Sequence, residues 1–204
     1  MLGVTGIKTT IVARLQALVP DEDVVWCGGG LDSFDRDQVL GGVRLDCDRY
    51  LLAQGYMEPA RISEQDADTI RTSLAVNLVS LVQICEAVLD ANPRARICVV
   101  GSQSAYRGSY DTTYAVAKAG LHAYVEFRAL GPKQQLVGIA PAIIEDAGMT
   151  TRRSDPERVA AKAKQHPKQR HLMTQEVADM VHHLLYVDRG YTSNTVIRMD
   201  GRPL

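Results

Sequence analysis

Two side chains that could move a proton lie close together in the middle of the chain. Tyr114 and Lys118 are four residues apart in a segment that predicts a helix, so both side chains are expected on one helix face. An ammonium group beside a phenol favours the phenolate, which is expected to lower the pKa of Tyr114. A hydroxyl group with a lowered pKa can give and take protons near neutral pH, as general acid–base catalysis requires.

A serine precedes this pair at the end of a predicted strand. Gly101-Ser102 follows the apolar run at 97–100 and lies twelve residues before Tyr114. With this serine, the segment resembles the short-chain dehydrogenase/reductase family, whose signature is a Ser followed by Tyr-x-x-x-Lys on a Rossmann-type fold. The resemblance implies that Ser102 hydrogen-bonds the substrate carbonyl, Tyr114 transfers the proton, and Lys118 lowers the phenol pKa and binds the nicotinamide ribose. Ser104 is the rival of Ser102, but the order Val-Gly-Ser directly after a strand favours Ser102.

A fourth residue of this set lies on the longest helical candidate, residues 63–89. Apolar residues recur there at three- and four-residue spacing, and Asn77 falls on or beside the apolar face. An amide in that position must find hydrogen-bond partners. The resemblance implies that Asn77 holds a water that connects Lys118 to solvent, and the alternative is a helix Asn bonded to a neighbouring backbone carbonyl.

The elements around these residues predict an α/β fold. Strand patterns at 24–27, 97–100 and 135–141 alternate with helical patterns at 63–89 and 114–130. We therefore expect a Rossmann-type doubly wound parallel sheet flanked by helices, in a single domain over residues 1–204. Because no room remains for a helix just before Asp48, one strand-and-helix unit of the first half is expected to be trimmed to a loop.

The resemblance also implies a dinucleotide cofactor, NAD or NADP. A glycine-rich turn after the first strand would let the backbone approach the pyrophosphate, although a plain strand-to-helix turn has the same pattern. Later turns would contact the ribose and the nicotinamide. The candidate cofactor-binding residues are Gly3, Gly6, Ile7, Gly55, Lys118, Pro141 and Ile144.

Three of these loops depart from the family pattern. Thr9 takes the third glycine position, and Gly28-Gly29-Gly30 follows the second strand, where an acid for NAD or a base for NADP is usual. Ala142 and Asp146 replace the family's glycine and threonine. Two functions follow: an NAD(P)-dependent oxidoreductase that moves a hydride between the nicotinamide and an alcohol or carbonyl, or a non-catalytic binding or regulatory member with weakened dinucleotide binding. An epimerase of the same fold usually has a larger substrate domain.

A basic stretch follows the last of these loops. Residues 148–173 are rich in Arg and Lys. In the family this stretch is the substrate lid, so its charge would suit an anionic substrate. The alternative is a solvated helix face, which is the ordinary role of a charge run.

Composition restricts the possible partners and location. A formal net charge of −1 over 204 residues argues against a general binder of nucleic acid or anionic membranes. No apolar run of membrane-span length and no signal-peptide pattern is evident, so we expect a cytoplasmic protein. The cysteines and histidines lack metal-site spacing, so no metal is expected. The expected partners are a small-molecule substrate and, by the resemblance, a homodimer or homotetramer that pairs the two long helices, whose apolar faces fit burial within one chain equally well.

Overall fold

A computed structural model describes residues 1–6, 8–151 and 155–201, and its strands form one parallel sheet. Within those residues the sheet has six strands in the order β2-β1-β3-β4-β5-β6. The strands are β1 Leu2–Thr5, β2 Val24–Trp26, β3 Arg49–Leu52, β4 Arg96–Val100, β5 Gln135–Pro141 and β6 Thr195–Met199. The expected doubly wound α/β sheet is confirmed.

Helices cover both faces of the sheet. They are α1 Thr10–Leu18, α2 Arg36–Leu40, α3 Ala67–Leu74, α4 Ser80–Ala91, α5 Ser104–Arg107, α6 Thr112–Phe127, α7 Gly148–Thr151, α8 Pro156–Gln165 and α9 Thr174–His182. One face packs on α1 and α9, through apolar side chains such as Leu15 and Val181. The other packs on α4 and α6, through side chains such as Ile84 and Leu121. Strand residues alternate between the two faces, which explains why the buried strands are apolar on both sides.

The chain reverses direction across the sheet between β1 and β3. From β1 it passes outward to β2, then returns over β1 and continues through β3 to β6 on the other side. In open parallel sheets, ligands bind beyond the carboxyl ends of the strands at such a switch point. The fold therefore places a binding site above β1, β3 and β4.

The segment between β2 and β3 is short, as the sequence predicts. It contains the five-residue helix α2 and, within the described residues, no strand. The amide of Gly28 donates to the carbonyl of Gly42 (3.1 Å), which closes the segment into a compact loop. One crossover unit is thus replaced by a loop beside the edge strand β2.

The long helix shows a difference from the sequence-based expectation. Residues Ala67–Ala91 form a continuous helix whose most apolar window has a mean hydropathy of 1.7, so by length and composition alone it could cross a membrane. The expectation that no run has this character was wrong. However, 56% of that window is buried inside the protein, and core helices of soluble proteins pass the same test. Packing against the sheet accounts for its apolar composition.

Candidate active site

A cleft of about 1400 Å³ lies at the carboxyl ends of the strands. Its walls are formed by the segments that follow β1, β3 and β4 and by the ends of β2 and β5, as the switch point predicts. Among the predicted site residues, those that line the cleft are Gly6, Gly55, Ser102, Tyr114, Lys118, Pro141 and Ile144. The structure therefore brings most of the predicted catalytic and cofactor-binding residues to one cavity.

The start of α6 positions the tyrosine and the lysine. Asp111 caps the helix by accepting a hydrogen bond from the Tyr114 amide (2.9 Å), so the helix begins at Thr112, two residues before the tyrosine. The ammonium nitrogen of Lys118 lies 5.9 Å from the centroid of the Tyr114 ring. It donates to the carbonyl of Val100, at the end of β4 (2.9 Å). Both side chains are buried on one face of the helix, as their spacing predicts.

The direction of the Tyr114 pKa differs from the expectation. Burial raises the pKa of the Tyr114 phenol, a hydrogen bond with Ser102 opposes that rise, and the charge of Asp111 adds to it. Lys118 does not lower it, because its nitrogen is bonded to Val100 and is well separated from the ring. Burial also lowers the pKa of Lys118 to about 7. The predicted lowering of the phenol pKa was wrong for this arrangement of the side chains.

The turn after β4 presents Ser102 to the tyrosine. Its hydroxyl accepts from the amide of Ser104 (3.1 Å), and its interaction with the Tyr114 phenol opposes the rise of that pKa. Its amide donates to the ring of His122 (3.2 Å). Because Ser102 is the serine in contact with the phenol, the geometry supports the choice of Ser102 over Ser104.

Asn77 lies in a π-helical turn, Ala75–Val79, between α3 and α4. It is fully buried, and its amide nitrogen donates to the carbonyls of Tyr56 (2.7 Å) and Ser73 (2.9 Å). Its amide oxygen accepts from the Tyr56 amide (3.1 Å). The side chain therefore anchors the segment after β3, and its role in a water relay stays a prediction. Such π-helical turns are frequent at functional sites.

The turn before α1 provides donors that fit a phosphate group. Gly6 has a positive φ of 69°, and a Cβ there would lie 2.7 Å from the Ala53 carbonyl group, so glycine is required. At the N-cap, the hydroxyl of Thr9 is buried and, among the described residues, has no partner, and no side chain caps the helix. A helix N-terminus with unpaired donors facing a cleft is suited to an anion. These residues fit a dinucleotide pyrophosphate.

Of two other residues of the predicted glycine turn, one is contradicted and one is not described by the structure. Gly3 lies inside β1 and does not line the cleft. A Cβ at Gly3 would lie 2.7 Å from the Tyr50 ring, so this glycine makes room for core packing, and its assignment to the cofactor loop is corrected. Ile7 lies outside the described residues, and its predicted role is left as a prediction.

The remaining cofactor candidates surround the cleft from β3 and β5. Gly55 follows β3 and sits beside Asn77, and Pro141 ends β5. Ile144 forms a short parallel bridge with Leu172. In that bridge the Glu145 amide donates to the Leu172 carbonyl and the Leu172 amide donates to the Ile143 carbonyl, so the amide of Ile144 takes no part in it. An amide in this position suits the nicotinamide carboxamide.

Asp146, one of the residues that depart from the family pattern, has a structural role. Asp146 accepts from both the amide (2.8 Å) and the hydroxyl (2.7 Å) of Thr174, so it caps the start of α9. The Thr174 hydroxyl also lies 3.2 Å from that of Thr10 in α1. The residue that replaces the family's threonine therefore ties α9 to the pyrophosphate end of the cleft.

The cleft is lined by cations. Among the described lining residues there is no Asp or Glu, and the lysines and arginines are Lys8, Arg107, Lys118, Arg158 and Lys162. Two of the predicted lid cations, Arg158 and Lys162, thus face the cleft, whereas Lys164 and Lys168 are not part of its lining. Arg152 and Arg153 lie outside the described residues. This charge distribution suits anionic ligands.

Two functional candidates were missed by the sequence reading. His122 follows Lys118 by four residues, so the same spacing argument that pairs Tyr114 with Lys118 could have found it. Asp111 is buried and accepts from the Glu58 amide (2.9 Å) as well as from Tyr114. An Asp just before a predicted helix is a capping signal. The residues described in the structure contain no cluster of three metal-ligating side chains.

Comparisons with known proteins agree with this fold. No curated protein matches the sequence. The similar solved structures include a short chain dehydrogenase family protein from Francisella tularensis, 18% identical with a TM-score of 0.83 over 98% of this chain and 96% of that chain. BdcA in complex with NADPH is 20% identical with a TM-score of 0.83, over 98% and 92% of the two chains. A glucose/ribitol dehydrogenase of the short-chain dehydrogenase/reductase type from Brucella melitensis is 19% identical with a TM-score of 0.79, over 98% and 94%.

These structural likenesses concern the fold, and a family model adds a relationship in sequence. The model described as Enoyl-(Acyl carrier protein) reductase matches residues 46–201, which is most of the chain and includes the serine, the tyrosine and the lysine. The match begins after the β1–α1 turn. The chain belongs to the short-chain dehydrogenase/reductase family.

Proposed function

We propose that the protein is an NAD(P)-dependent oxidoreductase that transfers a hydride between the nicotinamide and an alcohol or carbonyl group. The observation that carries the proposal is the contact of Ser102 with Tyr114, beside Lys118, on the wall of the cleft into which α1 also opens. Family membership and the NADPH complex of the similar BdcA support the cofactor class. The proposal covers both NAD and NADP.

The dinucleotide would be held by residues from both ends of the cleft. The α1 N-terminus, with Gly6 and the unpartnered hydroxyl of Thr9, would hold the pyrophosphate. Ile144 would hold the carboxamide and Lys118 the ribose. Bound here, the cofactor would supply a hydride for reduction or accept one in oxidation.

The protein's own residues would handle the proton. In the reduction, Ser102 orients the carbonyl oxygen and Tyr114 gives its proton to that oxygen as the carbon receives the hydride, so the product is a neutral alcohol. In the oxidation, the same groups act in reverse. Lys118 must turn from Val100 to reach a ribose or to stabilise the phenolate. Asn77 would hold the relay water that returns a proton to Tyr114.

We also infer that the substrate carries a negative charge. Arg107 lies on α5, which follows β4 and therefore stands two strands away from the pyrophosphate end at β1. Arg158 lies on α8. The residue after this helix, His166, is hydrogen-bonded to the carbonyl of Asp200, just beyond β6 (2.7 Å), so the end of α8 lies on the β6 side of the sheet. These cations face the cleft on the substrate side.

A matched pair of substrates tests the charge. A keto acid and its methyl ester differ chiefly in that charge and by one methyl group, and we expect kcat/KM to favour the acid by about tenfold or more, as one desolvated charge pair would. Replacing Arg107 by Ala should reduce that preference and leave turnover of the ester unchanged. Equal kcat/KM for the acid and the ester would contradict an anionic substrate.

The remaining proposals concern the setting of the enzyme. We propose a cytoplasmic protein that acts on a small molecule without nucleic-acid or membrane partners, and that assembles as a homodimer or homotetramer through its long helices. α6 supports this, because Val116 and Phe127 expose apolar surface on that helix. Light scattering at micromolar concentration would measure the assembly, and a monomer would contradict it.

The cofactor proposal can be tested without knowing the substrate. Trp26 is the single tryptophan of the chain, is 43% exposed and lines the cleft at the end of β2. Its emission should be quenched with energy transfer to bound NADH or NADPH, and Trp26→Phe should remove that signal while calorimetry still detects binding. If neither reduced dinucleotide binds, hydride transfer is excluded and a non-catalytic binding protein is the better explanation.

A further inference from the structure

His122 contacts the turn that carries the catalytic serine. Tyr114, Lys118 and His122 are spaced four apart on α6, so they lie along one face of the helix. The Lys118 nitrogen donates to the Val100 carbonyl (2.9 Å), and Nε2 of His122 accepts from the Ser102 amide (3.2 Å). The helix that carries the proton donor therefore holds the backbone of the turn at two points.

The neighbouring strand holds the same turn from another direction. The Gly101 amide donates to the carbonyl of Ile139 (2.7 Å), and the Gln103 amide donates to that of Pro141 (2.9 Å), both in β5. Successive amides of an extended chain alternate in direction, so the Ser102 amide between them points away from β5. His122 supplies the acceptor that this buried amide needs, because an unpaired buried donor is costly.

The surroundings of the ring fix its protonation state. His122 is 5% exposed and packs against the Tyr106 ring, with a centroid distance of 5.1 Å. Burial, aided by the charge of Lys118, lowers the pKa of His122 to about 4, so the ring is neutral at physiological pH. Since Nε2 accepts a hydrogen bond, the proton lies on Nδ1, which is buried and has no partner among the described residues.

Gly101 allows this close approach. A Cβ at that position would lie 2.1 Å from Nε2 of His122, so any other residue would displace the ring or the turn. The glycine between Val100 and Ser102 is thus coupled to a histidine about twenty residues further along the chain. The same Cβ would lie 3.0 Å from the Ile139 carbonyl oxygen, so the histidine is the nearer of two groups that a larger residue would meet.

We propose that His122 is a positioning residue for Ser102: its neutral ring holds the Ser102 amide and thereby sets the serine hydroxyl against Tyr114. His122 does not line the cleft, so it acts through Ser102 and does not touch the substrate. The inference rests on the proposed function, since positioning matters for catalysis only if Ser102 and Tyr114 perform it.

The hydrogen bond itself can be tested without a substrate. In ¹⁵N-labelled protein, NMR should show the Nδ1–H tautomer of His122 at neutral pH and a two-bond nitrogen–nitrogen coupling between Nε2 and the Ser102 amide. The Nε2–H tautomer, or a missing coupling in an assigned spectrum, would overturn the proposal. This measurement is independent of activity, so it separates a failure of this inference from a failure of the proposed function.

Its catalytic consequence is tested by two matched variants, with NADPH and 2,3-butanedione as probes. His122→Gln keeps a side-chain acceptor, whereas His122→Leu keeps a similar volume without one. We expect the Leu variant to lose about tenfold or more in kcat while its affinity for NADPH changes by about twofold or less, and the Gln variant to recover most of that kcat.

Each alternative outcome is decisive. A Leu variant with the kcat of the wild type overturns the proposal, and equal losses in the Gln and Leu variants show that the ring acts by packing alone. If the wild-type protein shows the coupling and binds NADPH but reduces no carbonyl probe, the proposed function fails, and the positioning role in catalysis fails with it. Gly101→Ala should mimic His122→Leu and should be milder in a His122→Ala background.

Discussion

The two halves of the cleft differ in how their polar groups are satisfied. Around β4 and α6, the proposed catalytic half, Ser102, Lys118 and Nε2 of His122 are bonded to protein partners, and Nδ1 of His122 is buried without a partner among the described residues. Around β1 and α1, the cofactor half, the Thr9 hydroxyl is buried without a partner among the described residues, and α1 lacks a side-chain cap. The contrast teaches that the chain itself holds the Ser102 turn in the proposed catalytic half, whereas the proposed cofactor half presents an uncapped helix N-terminus that suits an anionic ligand.

The sequence match to the family model also covers one half of the cleft and leaves out the other. The sequence match covers residues 46–201 and omits β1, α1 and β2, although the fold of the whole chain matches solved members of the family. Backbone donors at a helix N-terminus can bind a phosphate with many side-chain sequences, so this half can change in sequence and keep its task. Proton transfer needs particular side chains, so the catalytic half cannot.

The largest effect is expected from removing the proton donor. Tyr114→Phe should lower kcat about a thousandfold, within the range for loss of general acid–base catalysis. NADPH affinity should remain within about twofold, because the phenol is on the catalytic half. Steady-state kinetics and the Trp26 titration measure the two quantities. Equal losses of affinity and turnover would break the separation of the two halves.

A second prediction concerns the buried lysine and stability. Burial lowers the pKa of Lys118 from 10.5 to about 7, so between these values the unfolded chain binds more protons than the folded one. Folding stability should therefore rise with pH across that window, and below pH 7 the protein carries the full cost of a buried charge.

The neutral variant Lys118→Met gives the comparison. It should be more stable than the wild type at pH 6 by up to a few kcal/mol, with a difference that shrinks toward pH 10. Urea unfolding at several pH values measures it. A difference independent of pH would mean that Lys118 is not desolvated as the structure indicates.

The glycines of the first turn provide a third test. Gly6→Ala puts a Cβ into the Ala53 backbone at a positive φ and should lower NADPH affinity by about tenfold. Gly3→Ala puts a Cβ against the Tyr50 ring and should cost about 1–3 kcal/mol of stability with little loss of affinity in the folded protein. Calorimetric titration and urea unfolding separate the two. Reversed results would restore Gly3 to the cofactor loop.

The smallest effect concerns the choice between NADP and NAD. Lys8 lines the cleft, and the described lining at the end of β2 has no acid to pair with a ribose 2′-hydroxyl. We expect NADPH to bind more tightly than NADH, and Lys8→Ala to reduce that preference by about threefold. Lys164→Ala, outside the cleft lining, is the matched control. A preference for NADH would contradict this reading.

The sequence predicted the arrangement of residues around α6 better than that around the turn before α1. The helical spacing of Tyr114 and Lys118 predicted that they share one face, and the strand pattern before Ser102 predicted that it ends a strand. Both predictions succeed because each depends on the local periodicity of the sequence. The role of Gly3 could not be predicted, since it depends on contact with Tyr50, which is distant in sequence. The rise in the pKa of Tyr114 could not be predicted either, because it depends on the burial of the phenol and on the hydrogen bond from Lys118 to the Val100 carbonyl.

The central claim is that a hydride passes between a nicotinamide and a carbonyl while Tyr114 gives the proton. Its most direct test uses NADPH with deuterium at both C4 positions of the nicotinamide, a panel of keto acids and ketones, and mass spectrometry of the products. The account predicts an alcohol with one carbon-bound deuterium from the wild-type protein and about a thousandfold less of it from Tyr114→Phe. An alcohol without deuterium, or equal labelling by the two proteins, would contradict it.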